Sequence, residues 1–99
     1  FSVRVAGNVV GTKSLGSIEY GIVVAGAKLV VVMGHTRCGA VNAAIDMLSE
    51  RRDVMDTTGC PHLSAIVDEI GVSLSESEFR RIRQMSEEEK EQFADEVAR

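Results

Sequence analysis

The sequence predicts an α/β domain with a parallel sheet, and three observations carry that expectation. Lys28 to Met33 (Lys-Leu-Val-Val-Val-Met) reads as one apolar run, the pattern of a strand buried on both faces. Apolar residues at helical spacing lie on either side of it, Leu15, Ile18, Ile22 and Ala25 before and Val41, Ala44, Ile45 and Leu48 after. A β-prone piece, Val3 to Ala6, stands ahead of both. The order strand, helix, strand, helix is that of a right-handed crossover unit.

Each element has a local signal. Gly7-Asn8 closes the first strand with a turn, and Val9 to Lys13 reads as a loop. Ser14 suits a helix N-cap, because its hydroxyl accepts a free backbone N–H of the first turn, and Gly26 is a natural stop. The second strand runs into Gly34-His35-Thr36-Arg37-Cys38-Gly39 and the second helix. Ser49 to Gly59 is polar and reads as a loop. Pro61 suits the first position of a helix whose apolar face is Leu63, Ile66, Val67 and Ile70, with Gly71 as its end. Ser75 with Glu78 and Ser86 with Glu89 are capping-box pairs. They introduce helices carrying Phe79, Ile82 and Met85, then Phe93 and Val97. The Glu-rich run 87 to 91 reads as a solvated helix face.

Composition narrows the function. Ninety-nine residues make one small domain, 1–99, and 44% hydrophobic content with 4% aromatic calls for an aliphatic core. Two parallel strands cannot cover the apolar faces of that many helices, so the sheet is incomplete in this chain. Other strands or another subunit must complete it, which predicts a homodimer or higher homo-oligomer. Phe1 opens directly on a strand-like stretch and Arg99 falls inside a charged helical pattern. The chain therefore reads as part of a longer one.

A net charge of −4 argues against nucleic acid as partner, since phosphate binding needs clustered Lys and Arg. The longest apolar stretch, Gly21 to Gly34, is interrupted by Lys28 and falls short of the roughly 18 residues of a membrane span. With no leader in view, the expected setting is the cytoplasm. Two cysteines, Cys38 and Cys60, are too few for a disulfide scaffold and suit thiols or metal ligands.

The chemistry-bearing segment is His35-Thr36-Arg37-Cys38, placed where open α/β sheets gather their ligands, beyond the carboxyl end of a strand. Imidazole nitrogen and thiolate sulfur are favoured zinc ligands, and this spacing lets both reach one ion. Cys38 falls at a helix start, where free N–H groups favour a thiolate. Gly34 and Gly39 bracket the pair and are expected to supply the tight backbone. The bland alternative is a hydrogen-bonded His35 and a small core Cys38. Two ligands do not complete a catalytic zinc site, which takes at least three from the protein. Cys60 with His62 is a second cluster, read either as a substitute ligand source or, preferably, as a helix-start cysteine beside an exposed histidine.

Three strings together carry a resemblance. They are Phe1-Ser2-Val3-Arg4-Val5-Ala6-Gly7-Asn8, then Ser14-Leu15 with Ile18-Glu19-Tyr20, then Gly34-His35-Thr36-Arg37-Cys38-Gly39-Ala40-Val41. This combination resembles the central part of a β-class carbonic anhydrase, strongly over the first half and more weakly through Cys60-Pro61-His62-Leu63 to Ile70. The resemblance implies a zinc lyase that hydrates carbon dioxide reversibly to bicarbonate by a zinc-hydroxide mechanism, as an α/β dimer. It assigns zinc to His35 and Cys38, and places Arg4, Ala6, Gly7 and Asn8 in the loop beside the metal. Arg4 is then a candidate for positioning the anion, against a simpler role in ordering the loop. Val5 stands where many members carry Asn.

One departure is large. The family's first zinc ligand belongs to an upstream Cys-x-Asp-Ser-Arg motif, and no such motif occurs in these residues. The Asp–Arg pair of that motif is missing with it. Two other readings therefore stand beside the enzyme. One is a catalytically inactive binding or regulatory module with the same fold and no first ligand. The other is a redox-sensing thiol at Cys38.

Overall fold

The computed structural model describes residues 1–98. Six α-helices follow a 3-10 turn at Ala6–Asn8: α1 Thr12–Val23, α2 Gly39–Ser49, α3 Val54–Thr58, α4 Leu63–Val72, α5 Glu76–Ile82 and α6 Glu87–Ala98. No strand forms among the described residues, which overturns the α/β parallel-sheet expectation. The physical reason lies in the backbone. A strand exists only through a neighbour that takes its N–H and C=O groups. No backbone–backbone hydrogen bond joins residues 28–33 to another segment. Val3 to Ala6 likewise pairs with nothing, and its end is taken up by the 3-10 turn, where the Asn8 N–H donates to the Val5 carbonyl at 2.8 Å.

The core belongs to the later helices. Val41, Ala44, Ile45 and Met47 of α2 face Val67 and Ile70 of α4, Ile82 of α5, and Phe93 and Ala94 of α6. Leu74, between α4 and α5, completes the cluster. Ile45 and Ile82 are its most fully enclosed large side chains. Arg81 lies over the Phe93 ring at 5.6 Å from its centroid, closing one edge of the core.

Local signals set several helix ends as the sequence predicts. Ser75 and Glu78 form a complete capping box, with the Glu78 N–H donating to Ser75 Oγ and the Ser75 N–H to the Glu78 carboxylate. Ser86 and Glu89 make the same pair of contacts before α6. Other boundaries moved. Helix α1 starts at Thr12 with Gly11 as its N-cap, ahead of Ser14, and ends at Val23 before Gly26 turns the chain with φ +78°. The stretch expected as a loop holds α3, capped by Asp53 accepting the Asp56 N–H. Pro61 lies in a turn, and α4 begins only at Leu63 and passes through Gly71 to Val72.

Helix α1 stands apart from this core. Of its residues only Gly21 is buried, beneath the Phe1 ring, and a Cβ at that position would lie 3.0 Å from Phe1 Cδ1. Phe1 also meets Tyr20, with ring centroids 6.3 Å apart. The result is an elongated molecule of 47 × 27 × 22 Å. No described helix is long and apolar enough to cross a membrane.

Candidate functional site

The apolar run ends in a turn, Thr36-Arg37, that leads into α2 with Cys38 as its N-cap residue. The sequence assigns the tight backbone to Gly34 and Gly39, but neither has a positive φ. Arg37 takes the left-handed conformation instead, with φ +53°. A residue with a Cβ pays a steric cost there unless its surroundings hold it. The holding contact comes from far along the chain: the Arg37 N–H donates to Asp95 Oδ1 of α6 at 2.7 Å.

His35 and Cys38 lie at either side of this turn. The His35 Nδ1 lies 2.9 Å from the Thr36 carbonyl oxygen. A carbonyl only accepts, so Nδ1 is the donor in this contact, and no hydrogen bond among the described residues engages Nε2. That is how a ligating histidine is commonly oriented, with its other nitrogen donating to a carbonyl. His35 is exposed, while Cys38 is half-buried against the core and its thiol is free. Cys38 is the N-cap residue of α2, and its thiol makes no capping hydrogen bond.

The Ala6–Asn8 turn is docked beside them. Gly7 has φ +69°, and a Cβ there would sit 2.9 Å from Ile70 Cδ1 and 3.6 Å from the Ala40 methyl. So the turn lies against both α4 and the start of α2, and only glycine satisfies the angle and the approach together. Asn8 is also left-handed, φ +53°, and its Nδ2 donates to the Met33 carbonyl at 3.2 Å. That bond ties the turn to the chain just before Gly34 and His35. Arg4 is exposed and has no salt-bridge partner among the described residues.

The donor chemistry fits zinc as far as it goes, with one imidazole nitrogen and one thiol sulfur on a single turn. No group of three His, Cys, Asp or Glu able to hold a metal occurs among the described residues. Cys60 and His62 form no such group with His35 and Cys38 among the described residues. Cys60 is exposed, its thiol 3.6 Å from the Thr58 carbonyl, and it borders a separate groove of about 310 Å³ with Met47, Pro61, Ser64 and Val67. His62 is exposed at the start of α4. Asp95 is the one member of the site that sequence reasoning missed. Its bond to Arg37 spans 58 positions, and nothing local marks it within a charged helix.

Comparison with known proteins decides the family, because the carbonic anhydrase family model matches residues 1–99. The chain belongs to the β-class carbonic anhydrases. Carbonic anhydrase 2 of Mycobacterium tuberculosis, in strains CDC 1551 and H37Rv, is 50% identical to this family member over 50 residues. The carbonic anhydrase of Mycolicibacterium smegmatis is likewise 50% identical over 50 residues. Those residues are 50% of this chain and 24% of each relative's length, so the match spans about a quarter of the relatives. No solved structure matches this β-class chain.

Proposed function

We propose that this chain contributes two ligands, His35 and Cys38, to the zinc centre of an enzyme that interconverts carbon dioxide and bicarbonate. The observation that carries the reading is the His35 Nδ1 bond to the Thr36 carbonyl, on the same turn that leads into the half-buried Cys38. Zinc, when bound, supplies the Lewis acidity that lets water act as a nucleophile at neutral pH. The residues of this chain do the rest of the work assigned to them. Cys38 offers its sulfur from the N-cap position of α2. Asn8 and Gly7 hold the neighbouring turn against α4 and α2, walling one side of the site. Arg4, exposed to solvent, offers a guanidinium to the anionic product.

The third ligand lies outside the described groups, and a homo-oligomer is part of the same reading. Val23, Val24, Leu29, Val32 and Met33 are all exposed, and a second copy would take them out of water. A second reading, an inactive module of the same family, draws support from the two-donor count. One experiment separates them. Cys38→Ser in the full-length protein should remove zinc, measured by elemental analysis, and lower carbon dioxide hydration by more than the 10–100-fold typical of losing an outer-shell partner. Retained hydration would overturn the ligand assignment. A wild-type protein that binds no zinc and hydrates no carbon dioxide would favour the inactive module.

A further inference from the structure

Asp95 is placed on α6 by residues that have nothing to do with the site. Its neighbours Phe93 and Ala94 are buried against the core, and Lys90, one turn earlier, is buried on the same side with its amine 3.7 Å from Glu87. Helix α6 packs on α2, so the helix that carries Asp95 rests directly on the helix that Cys38 begins. The half-buried Asp95 carboxylate then receives the Arg37 N–H at 2.7 Å. Arg37 sits between the two ligand residues and is the left-handed member of their turn.

We propose that Asp95 is a positioning residue for the metal: by accepting the Arg37 N–H it fixes the left-handed turn that sets His35 relative to Cys38. The argument is one of geometry. A backbone N–H next to a ligand is a common target for a second layer of contacts, which orient the ligands without touching the ion. Arg37 gains nothing sterically from φ +53°, so the turn relaxes toward ordinary backbone angles once the acceptor is removed. Relaxation at position 37 rotates the peptide planes on both sides and spreads the imidazole and the thiol apart. The carboxylate acts here as a hydrogen-bond acceptor, and its amide analogue has the same oxygen in the same place.

This inference rests on the zinc reading above, and the test keeps the two separate. Zinc affinity of the full-length protein is measured by chelator competition for the wild type, D95A, D95N and the double variant D95A/R37G, with urea unfolding of each zinc-free protein alongside. D95A should bind zinc about 10-fold or more weakly, while D95N and D95A/R37G stay within about threefold of wild type. Glycine at 37 takes the left-handed angle freely, so it restores the turn without the carboxylate. A folded D95A with wild-type affinity overturns the proposal and leaves the zinc reading intact. So does a D95N as weak as D95A, because the acceptor would then not be what matters. A wild type that binds no zinc removes the zinc reading and this inference together. If D95A does not fold, the double variant decides. Recovery of folding and zinc affinity by R37G supports the proposal, and failure to recover assigns Asp95 to packing alone.

Discussion

Residues 1–37 and residues 38–98 treat their apolar side chains in opposite ways. Every fully buried hydrophobic side chain of the core lies in the second region, from Val41 to Ala94. The first region is at least as apolar, yet Leu29 is 79% exposed and Val32 82%, against 0% for Ala44 and Ile82. Hydrophobic content alone does not make a core. Helices with apolar residues every third or fourth position each bury one stripe against the others, and α2 does so against both α4 and the distant α6. A run apolar on both faces needs neighbours on both sides, and none of the described segments takes that place.

The largest expected effect tests this contrast directly. Ile82→Ala should lower the unfolding free energy of the chain by about 2–5 kcal/mol, since the surroundings close only partly over the hole. Val32→Ala should change it by less than about 0.5 kcal/mol, as for other surface positions. Urea denaturation of both variants is the check, and a cost at Val32 close to that at Ile82 would break the comparison.

A smaller effect sharpens the boundary between the regions, where the Ala6–Asn8 turn meets α4. Gly7→Ala should destabilise by about 1–3 kcal/mol, because the new methyl meets Ile70 and the backbone angle is unfavourable. Gly26→Ala is the control: its φ is also positive, +78°, but nothing lies within 4 Å. It should therefore cost less than Gly7→Ala. Equal costs would mean that the turn is not docked as described.

The smallest effect lies wholly in the second region. The Ser75 backbone N–H, followed by the Ser75 hydroxyl, holds the Glu78 carboxyl below its ordinary value of 4.5. A lowered folded value means that the charged form is favoured by folding. The contribution is therefore complete above pH 4.5 and is lost as pH falls through the lower folded value. A carboxyl titration followed by nuclear magnetic resonance should show Glu78 protonating after the freely exposed glutamates. Ser75→Ala should raise it only part of the way, because the backbone N–H at position 75 remains.

What the sequence made legible follows the range of the interactions involved. The capping boxes at Ser75 and Ser86 span three residues and are present as expected. The second helix needed only its own spacing. The strands failed because their existence depends on partners remote in sequence, and Lys28 to Met33 has none in the described chain. His35 and Cys38 are legible as a spaced pair, and the family match bears out the resemblance that their motif helped to carry. The backbone behind the pair was misread: glycines were expected to bend it, whereas Arg37 does, held by Asp95. A contact across 58 positions leaves no trace in local pattern.

The exposed run has a colloidal consequence. Leu29 to Met33 is a stretch of β-prone, uncharged residues without proline, the composition that seeds intermolecular cross-β stacking. Lys28 is the only Lys or Arg directly flanking it, since the next along the chain is Arg37. That single ammonium stands where gatekeeper charges commonly flank such runs, so Lys28→Ala is expected to lower the concentration at which this polypeptide self-associates, measured by light scattering.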